Sequence, residues 1–243
     1  MPEIIERKRL KERKNLRKLL DSTRQYYEAY ADKYVEFYNN WSKQKDAFSN
    51  PNYKDGYNKV AETLTSVTKT EETVIDIGCG VGTWSTLLAE NGANMVSLDY
   101  SPNILRRCGA RAKSLRLKSR IHRILADGFY LPFRDQTFDG ATLNWVLAHI
   151  PVSRNYMLLK EVGRVVRGSG WLVISDSYWR GQEGGKEQVQ VRDTDKGTYE
   201  IYKYYYDPEE LRNLLENSFG KVEQLQTTHY EMICVTRKHE MSK

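Results

Sequence analysis

Apolar and polar positions follow three different rhythms along the chain. Between residues 7 and 38 the apolar positions (Leu16, Leu19, Leu20, then Tyr27, Tyr30, Tyr34 and Tyr38) recur every three or four residues, which puts them on one helical face. One or two amphipathic helices are predicted there, with a tyrosine stripe turned toward a packing partner. Turn chemistry at 50–56 (NPNYKDG) precedes Tyr57, Val60, Ala61, Leu64 and Val67, the pattern of a further helix. From Thr73 onward, short β-branched runs at 74–77, 95–98, 122–126, 138–143 and 171–175 alternate with helical patterns at 83–91, 104–113 and 156–166. That alternation predicts βαβ units and a parallel sheet. Arg164, Arg167 and then Gly168 read as the stop of the last of these helices. Residues 188–192 and 198–202 suggest an extra hairpin. Asp207, Pro208 and Glu210 open a helix with an N-cap, a proline in the first turn and an acid at the third position. Residues 221–227 and 228–236 would close the sheet as a pair of strands.

The chain of 243 residues is 40% hydrophobic and 29% charged, a globular balance large enough for one sizeable core. No run of about 18 apolar residues occurs, and the basic N-terminus lacks the apolar stretch of a signal peptide, so neither a membrane span nor secretion is expected. Cys79, Cys108 and Cys234 are too few and too scattered for a disulfide framework or a zinc site, which points to a reducing, cytoplasmic setting and no metal. The net charge of +6 is uneven: residues 1–20 carry +5 and residues 106–123 carry +8, leaving an acidic remainder. Two basic faces of this kind suit RNA phosphates, and suit equally two solvated helix faces.

Chemistry concentrates at TVIDIGCGVGT, residues 73–83, where a buried strand runs into a glycine turn before a helix. Gly78, Gly80 and Gly82 let the backbone turn tightly and let a ligand press against it. The spacing is GxGxG, without the third glycine of a dinucleotide fingerprint, and Asp76 beside the turn repels a pyrophosphate. No Lys-Ser or Lys-Thr follows the glycines, which excludes a triphosphate loop. Asp99 stands where the second strand ends, placed to accept both hydroxyls of a ribose, and Asp127 stands where the third ends, placed to accept from an adenine amino group. Three acids at successive strand tips around a glycine turn suit a positively charged adenosyl ligand.

These segments resemble the class I S-adenosylmethionine-dependent methyltransferases of the UbiE-like, type 11 family. VIDIGCGVGTWS is similar to the family's first motif, LDYSPNIL to its acidic strand end, ADGFYLPFRDQTFDG to its adenine-side segment, TLNWVLAHIP to its fourth strand and loop, and RVVRGSGWLVISD to its fifth strand. The resemblance covers about residues 57–176. It implies an α/β fold: a Rossmann-like, doubly wound sheet of seven mostly parallel strands, helices on both faces and an antiparallel closing strand. Residues 1–70 would be a helical extension or lid, and 71–243 the methyltransferase domain, with an insertion at about 179–206 that meets the extension over the site. The cofactor implied is S-adenosylmethionine, with Asp76, Gly78 and Gly80 at its methionine portion and ammonium, and Asp99 with Tyr100 at the ribose. Asp127 and Gly128 would take the adenine edge and Asn144 the sulfonium side, while Tyr34 or Arg24 would meet the methionine carboxylate.

Methyl transfer needs alignment above all. Where the acceptor must lose a proton, His149, just past the fourth strand, is the candidate base, its alternative role being to fix the loop before Pro151. Tyr30, Tyr34 and Trp145 form a candidate aromatic wall beside the sulfonium. Asn144–Trp145–Val146–Leu147 departs from the Asn/Asp-Pro-Pro-aromatic loop of many nucleic-acid amino methyltransferases, which favours a small-molecule acceptor. The competing readings are an RNA methyltransferase, a non-catalytic binding protein that keeps the fold, and, more remotely, a nicotinamide oxidoreductase.

Overall fold

The computed structural model describes residues 16–35 and 51–239. Helix α1 (16–35) and α2 (Pro51–Val67) precede β1 (Thr73–Ile77), α3 (Thr83–Glu90), β2 (Asn94–Asp99), α4 (Pro102–Ser114) and β3 (Ile121–Leu125). The second half continues with β4 (Phe138–Asn144), α5 (Val152–Val165), β5 (Val166–Ser177), β6 (Glu187–Thr194), β7 (Gly197–Tyr204), α6 (Pro208–Ser218), β8 (Gly220–Thr227) and β9 (Glu231–Lys238). Seven strands form one sheet in the order β3-β2-β1-β4-β5-β9-β8; β9 runs antiparallel to both neighbours, and β6 and β7 pair apart as a hairpin. The expected doubly wound architecture is what the chain adopts.

Both faces of the sheet are covered, which explains why the central strands read as nearly continuous apolar runs. One core joins β1, β4 and β5 to α5 and α6 through Phe138, Leu143, Leu158, Leu159, Leu172 and Leu215, all buried. The other packs Leu64 of α2, Leu88 of α3 and Cys108 of α4 against Met95 and Trp171. Helix starts follow their sequence signals: Ser101 caps α4 by accepting from the Ile104 amide, and Asp207 with Glu210 forms a reciprocal capping box on α6.

Two expectations need correction, and a third falls outside the described residues. Gly168 does not end α5; the helix passes straight into β5 at Val166, and residues 167–170 form an irregularity opposite Phe138 and Gly140, with Ser169 at φ 62°. The β-branched Val165–Val166 pair, buried on the sheet, therefore outweighs the glycine signal. Strand β9 begins only at Glu231, because Thr228 turns back to bond Glu231 in both directions. The N-terminal basic run lies largely outside the described residues, as does Tyr38.

Candidate active site

The chain leaves β1 toward β2 on one side and returns to β4 on the other, so a crevice opens beyond the carboxyl ends of β1 and β4, where ligands bind in sheets of this kind. The glycine turn forms its floor. Gly78, Gly80 and Gly82 have φ of 69°, 54° and 81°, a region costly for residues bearing a Cβ. At Gly78 packing adds a second constraint: a Cβ there would lie 2.5 Å from Val146 Cγ2, so the loop after β4 rests directly on the turn. At Gly80 nothing among the described residues lies within 4 Å of the same position, and the turn faces open space.

Asp99 ends β2 beside that space. Its carboxylate accepts the amides of Gly80 (3.2 Å) and Ser101 (3.0 Å). Burial nonetheless pushes its pKa up to about 6, against the pull of those amides. Asp76 sits one layer lower: it accepts Ser85 Oγ at 2.6 Å, Ser85 in turn accepts Ser97 Oγ at 2.7 Å, and burial lifts its pKa to about 7. This packing turns the Asp76 carboxyl toward α3, so it buttresses the turn from beneath. Asp127 is exposed just past β3, accepting from the Phe129 amide, with Gly128 packed beneath Ile77 and Leu158. Asn144, at the tip of β4, accepts from Ser175 Oγ at 2.6 Å and donates to Thr142 Oγ1 at 2.7 Å. Trp145 follows with φ 55° and its amide on the Ser175 carbonyl, an off-region backbone at the point where the strand meets the crevice.

Helix α1 lies over this crevice. Glu28 accepts from Ser101 Oγ and the Asn103 amide at the start of α4, and Ala31 packs with Val81 and Ile104. Tyr34 packs on that same cluster and shares a hydrogen bond with Tyr27. The hairpin grips the other side of α1: the Glu200 amide donates to Ser22 Oγ, Lys196 Nζ to the Ala29 carbonyl, and Tyr26 meets Tyr199 edge to face. The expected meeting of extension and insertion is thus present. The aromatic wall is not one surface, however. Trp145 packs with Trp84 and Tyr57 on the α2–α3 side, while Tyr30 stacks on Tyr26 away from it. Arg24 is exposed and lies over the Tyr100 ring.

His149 closes a short 3-10 turn (Leu147–His149) after β4. Its Nε2 lies 2.9 Å from the Tyr27 hydroxyl and its Nδ1 lies 2.9 Å from the Tyr202 carbonyl. Burial, with Lys203 nearby, holds its pKa down at about 4, so the ring is neutral near pH 7. Asp176, at the end of β5, fixes this turn: it accepts the Ala148 amide (2.9 Å) and forms a buried ion pair with Lys203 of β7 (3.2 Å). The sequence pattern singled out neither Tyr27 as a partner of His149 nor the Asp176–Lys203 pair, since both join segments far apart in the chain. Tyr27 at least belonged to the periodic tyrosine stripe.

Residues 75–174 match the methyltransferase-domain family of type 11. Over these residues the chain is similar to the methyltransferase domain. The similar curated proteins include methyltransferase GfsG of Streptomyces halstedii, 36% identical over 109 residues, covering 44% of this chain and 38% of that protein. They also include the demethylmenaquinone methyltransferase of Bacillus licheniformis, 31% identical over 148 residues, covering 59% of this chain and 60% of that one. The chain thus spans less than two thirds of the length of these relatives. Among solved structures, a DhpI–SAH complex superposes with a TM-score of 0.72 at 21% identity, covering 92% of this chain and 98% of that one. A Burkholderia thailandensis 1,6-didemethyltoxoflavin-N1-methyltransferase gives 0.62 at 17% identity over 90% of this chain and 91% of that one. At such identities the likeness is one of fold, and it agrees with the methyltransferase architecture read from the sequence. Among the described residues no helix is long and apolar enough to cross a membrane, and no cluster of metal-ligating side chains occurs.

Proposed function

We propose that the protein transfers a methyl group from S-adenosylmethionine to a small-molecule acceptor. The observation that carries this reading is the open space above Gly80 with the Asp99 carboxylate at its edge: a turn without side-chain cover beside a buried acid suits a ribose and the chain beyond it. Asp99 would take the ribose hydroxyls, with Tyr100 beside it, and Asp127 with Gly128 the adenine edge. The turn at Gly78 and Gly80 would carry the methionine portion, with Asp76 holding the turn from below. Tyr34, packed on Val81, would meet the methionine carboxylate, and Asn144 would take the sulfonium side. Once bound, the cofactor supplies a methyl group on a positively charged sulfur that needs no metal to activate it. The chain's own part is to align the acceptor and exclude water.

A small acceptor is supported by the roof. The contact of α1 with the hairpin above the crevice suits a compact acceptor, and the similar proteins include enzymes named for demethylmenaquinone and for 1,6-didemethyltoxoflavin. Four of the eight basic side chains at 106–123 are engaged within the fold, while Arg106, Lys113, Arg116 and Lys118 are exposed. Arg107 pairs with Asp32, Arg111 donates to Thr86, Arg120 to Glu71 and the Gly92 carbonyl, and Arg123 to the Leu105 carbonyl. The setting we favour is the reducing cytoplasm, consistent with three buried, free cysteines. Calorimetric titration with S-adenosylhomocysteine, followed by transfer of labelled methyl to fractionated small-molecule and RNA extracts, tests the reading. Absence of binding, or label carried by RNA alone, would sink it.

A further inference from the structure

The hydrogen bonds around His149 fix the direction of every proton in the group. The Tyr202 carbonyl can only accept, so Nδ1 carries the ring proton and Nε2 is bare. The Tyr27 hydroxyl must therefore donate to Nε2. Tyr34, on the same face of α1, shares a hydrogen bond with Tyr27, and with the Tyr27 proton committed to Nε2 that bond runs from the Tyr34 hydroxyl to the Tyr27 oxygen. Such an ordered chain of hydrogen bonds is costly to bury unless every member is satisfied. Here it links α1, the loop after β4 and β7, three elements that converge only above the crevice.

We propose that Tyr27 is a catalytic residue that takes the acceptor's hydroxyl proton while passing its own phenolic proton to His149. The inference rests on the methyltransferase reading above and adds the acceptor chemistry. As the acceptor oxygen bonds to the methyl carbon, its O–H bond breaks and Tyr27 Oη gains that proton. The Tyr27 proton moves to Nε2, leaving Tyr27 neutral and His149 an imidazolium. The positive charge lost at sulfur reappears on the ring. A neutral amine needs no such relay, because it sheds its proton after methylation; a hydroxyl is a weak nucleophile until a base assists it. The acceptor is therefore a hydroxyl, and the Tyr27 ring, edge-on to Tyr26 and His149, suits one carried on a planar aromatic system. The groups facing His149 are Tyr27 from α1, Asp176 from β5, Arg192 from β6, and Tyr202 and Lys203 from β7; Asp176 favours the imidazolium, whereas Lys203 and Arg192 oppose it. This balance keeps His149 a bare acceptor at rest.

The test uses the full chain with 1-naphthol as probe acceptor and S-adenosylhomocysteine as cofactor probe. Wild type, Tyr27→Phe and His149→Asn should bind S-adenosylhomocysteine within about threefold of one another. With nitrogen-labelled histidine, NMR should show His149 protonated at Nδ1 and neutral down to about pH 5, with the Nε2 resonance displaced in Tyr27→Phe. Wild type should methylate 1-naphthol, and Tyr27→Phe should lose about 100-fold or more in kcat with KM little changed. A merely structural role for Tyr27 would instead raise KM and weaken S-adenosylhomocysteine binding. Failure of wild type to bind S-adenosylhomocysteine brings down the methyltransferase reading and the relay with it. Binding without naphthol methylation, unchanged kcat in Tyr27→Phe, or a His149 protonated at Nε2 overturns the relay alone.

Discussion

Lys203→Met isolates the pair that holds the His149 turn in place. Both partners are nearly inaccessible, with side chains 10% and 4% exposed, and Lys203 provides one of three donors to Asp176, the others being the amides of Ala148 (2.9 Å) and Ser177 (2.8 Å). Methionine keeps the length and apolar stem of lysine but leaves a buried carboxylate without its counter-charge, a loss worth about 3–5 kcal/mol. For a chain of this size that corresponds to a fall in Tm of about 6–20 °C. The exposed pair of Lys33 with Asp195, 52% and 69% exposed, is the internal control: Lys33→Met should change stability by less than about 1 kcal/mol. Urea unfolding followed by circular dichroism measures both. Adding Asp176→Leu to Lys203→Met should recover most of the loss, because the unpaired charge is gone, but leave about 1–2 kcal/mol unrecovered for the orphaned Ala148 amide. A Lys203→Met cost below about 1 kcal/mol, or strictly additive single and double variants, would refute the reasoning.

Asp99→Ala should raise the Kd for S-adenosylhomocysteine about 5- to 150-fold, from about 1–3 kcal/mol of lost charge-assisted bonds; calorimetry reading wild-type affinity would remove Asp99 from the ribose site. Gly78→Ala forces a Cβ into a left-handed backbone and onto Val146, costing about 1–2 kcal/mol for the backbone alone; Val146→Ala in the same chain should relieve only the steric part, as urea midpoints will show. Glu231 is buried, with Oε2 unpartnered among the described residues, and its pKa is raised to about 8 by burial, with Asp176 and Asp55 adding to it. The folded chain therefore retains a proton that the unfolded chain releases near pH 4, and stability falls as pH climbs from there toward 8. Glu231→Gln lacks that slope, so its Tm advantage over wild type should widen between pH 5 and pH 8; a constant difference would show that the carboxyl ionises normally.

What was legible in the sequence was whatever local periodicity and turn chemistry determine. The β-branched runs gave the parallel strands, and Asp207 with Pro208 gave a helix start, because a cap acts within three residues of itself. The acids at strand tips were legible for the same reason: position along a strand fixes which end of the sheet a side chain occupies. The rest is decided by distant segments. Gly168 resembles a helix stop, yet burial of Val165 and Val166 on the sheet carries the chain directly into β5. Asp76 sits at the expected strand end, but Ser85 and Ser97, from α3 and β2, draw its carboxyl beneath the turn. Trp145 follows the fourth strand as expected, while Trp84 and Tyr57 decide which way it packs. A single sequence does not encode such choices at any fixed spacing.

Helix α1 ties these parts into one arrangement. On one side Glu28 holds the Ser101 cap, two residues beyond Asp99, so the helix is fastened to the end of the crevice where a ribose would sit. On the other side Tyr27 meets His149, whose turn Asp176 and Lys203 fix to β5 and β7. Between them Ala31 and Tyr34 lie against Val81 in the glycine turn itself. The two ends of the reaction are therefore measured against the same short, rigid rod, and a shift of α1 along its axis would displace the phenol and the Glu28 contact together. The links to the hairpin are different in kind. Lys33 to Asp195 and Lys196 to the Ala29 carbonyl are exposed, and each adds at most about 1 kcal/mol. Strong contacts toward the core and weak ones toward the tip of the hairpin mean that the tip yields first, while the end of β7 stays held by the Lys203–Asp176 pair.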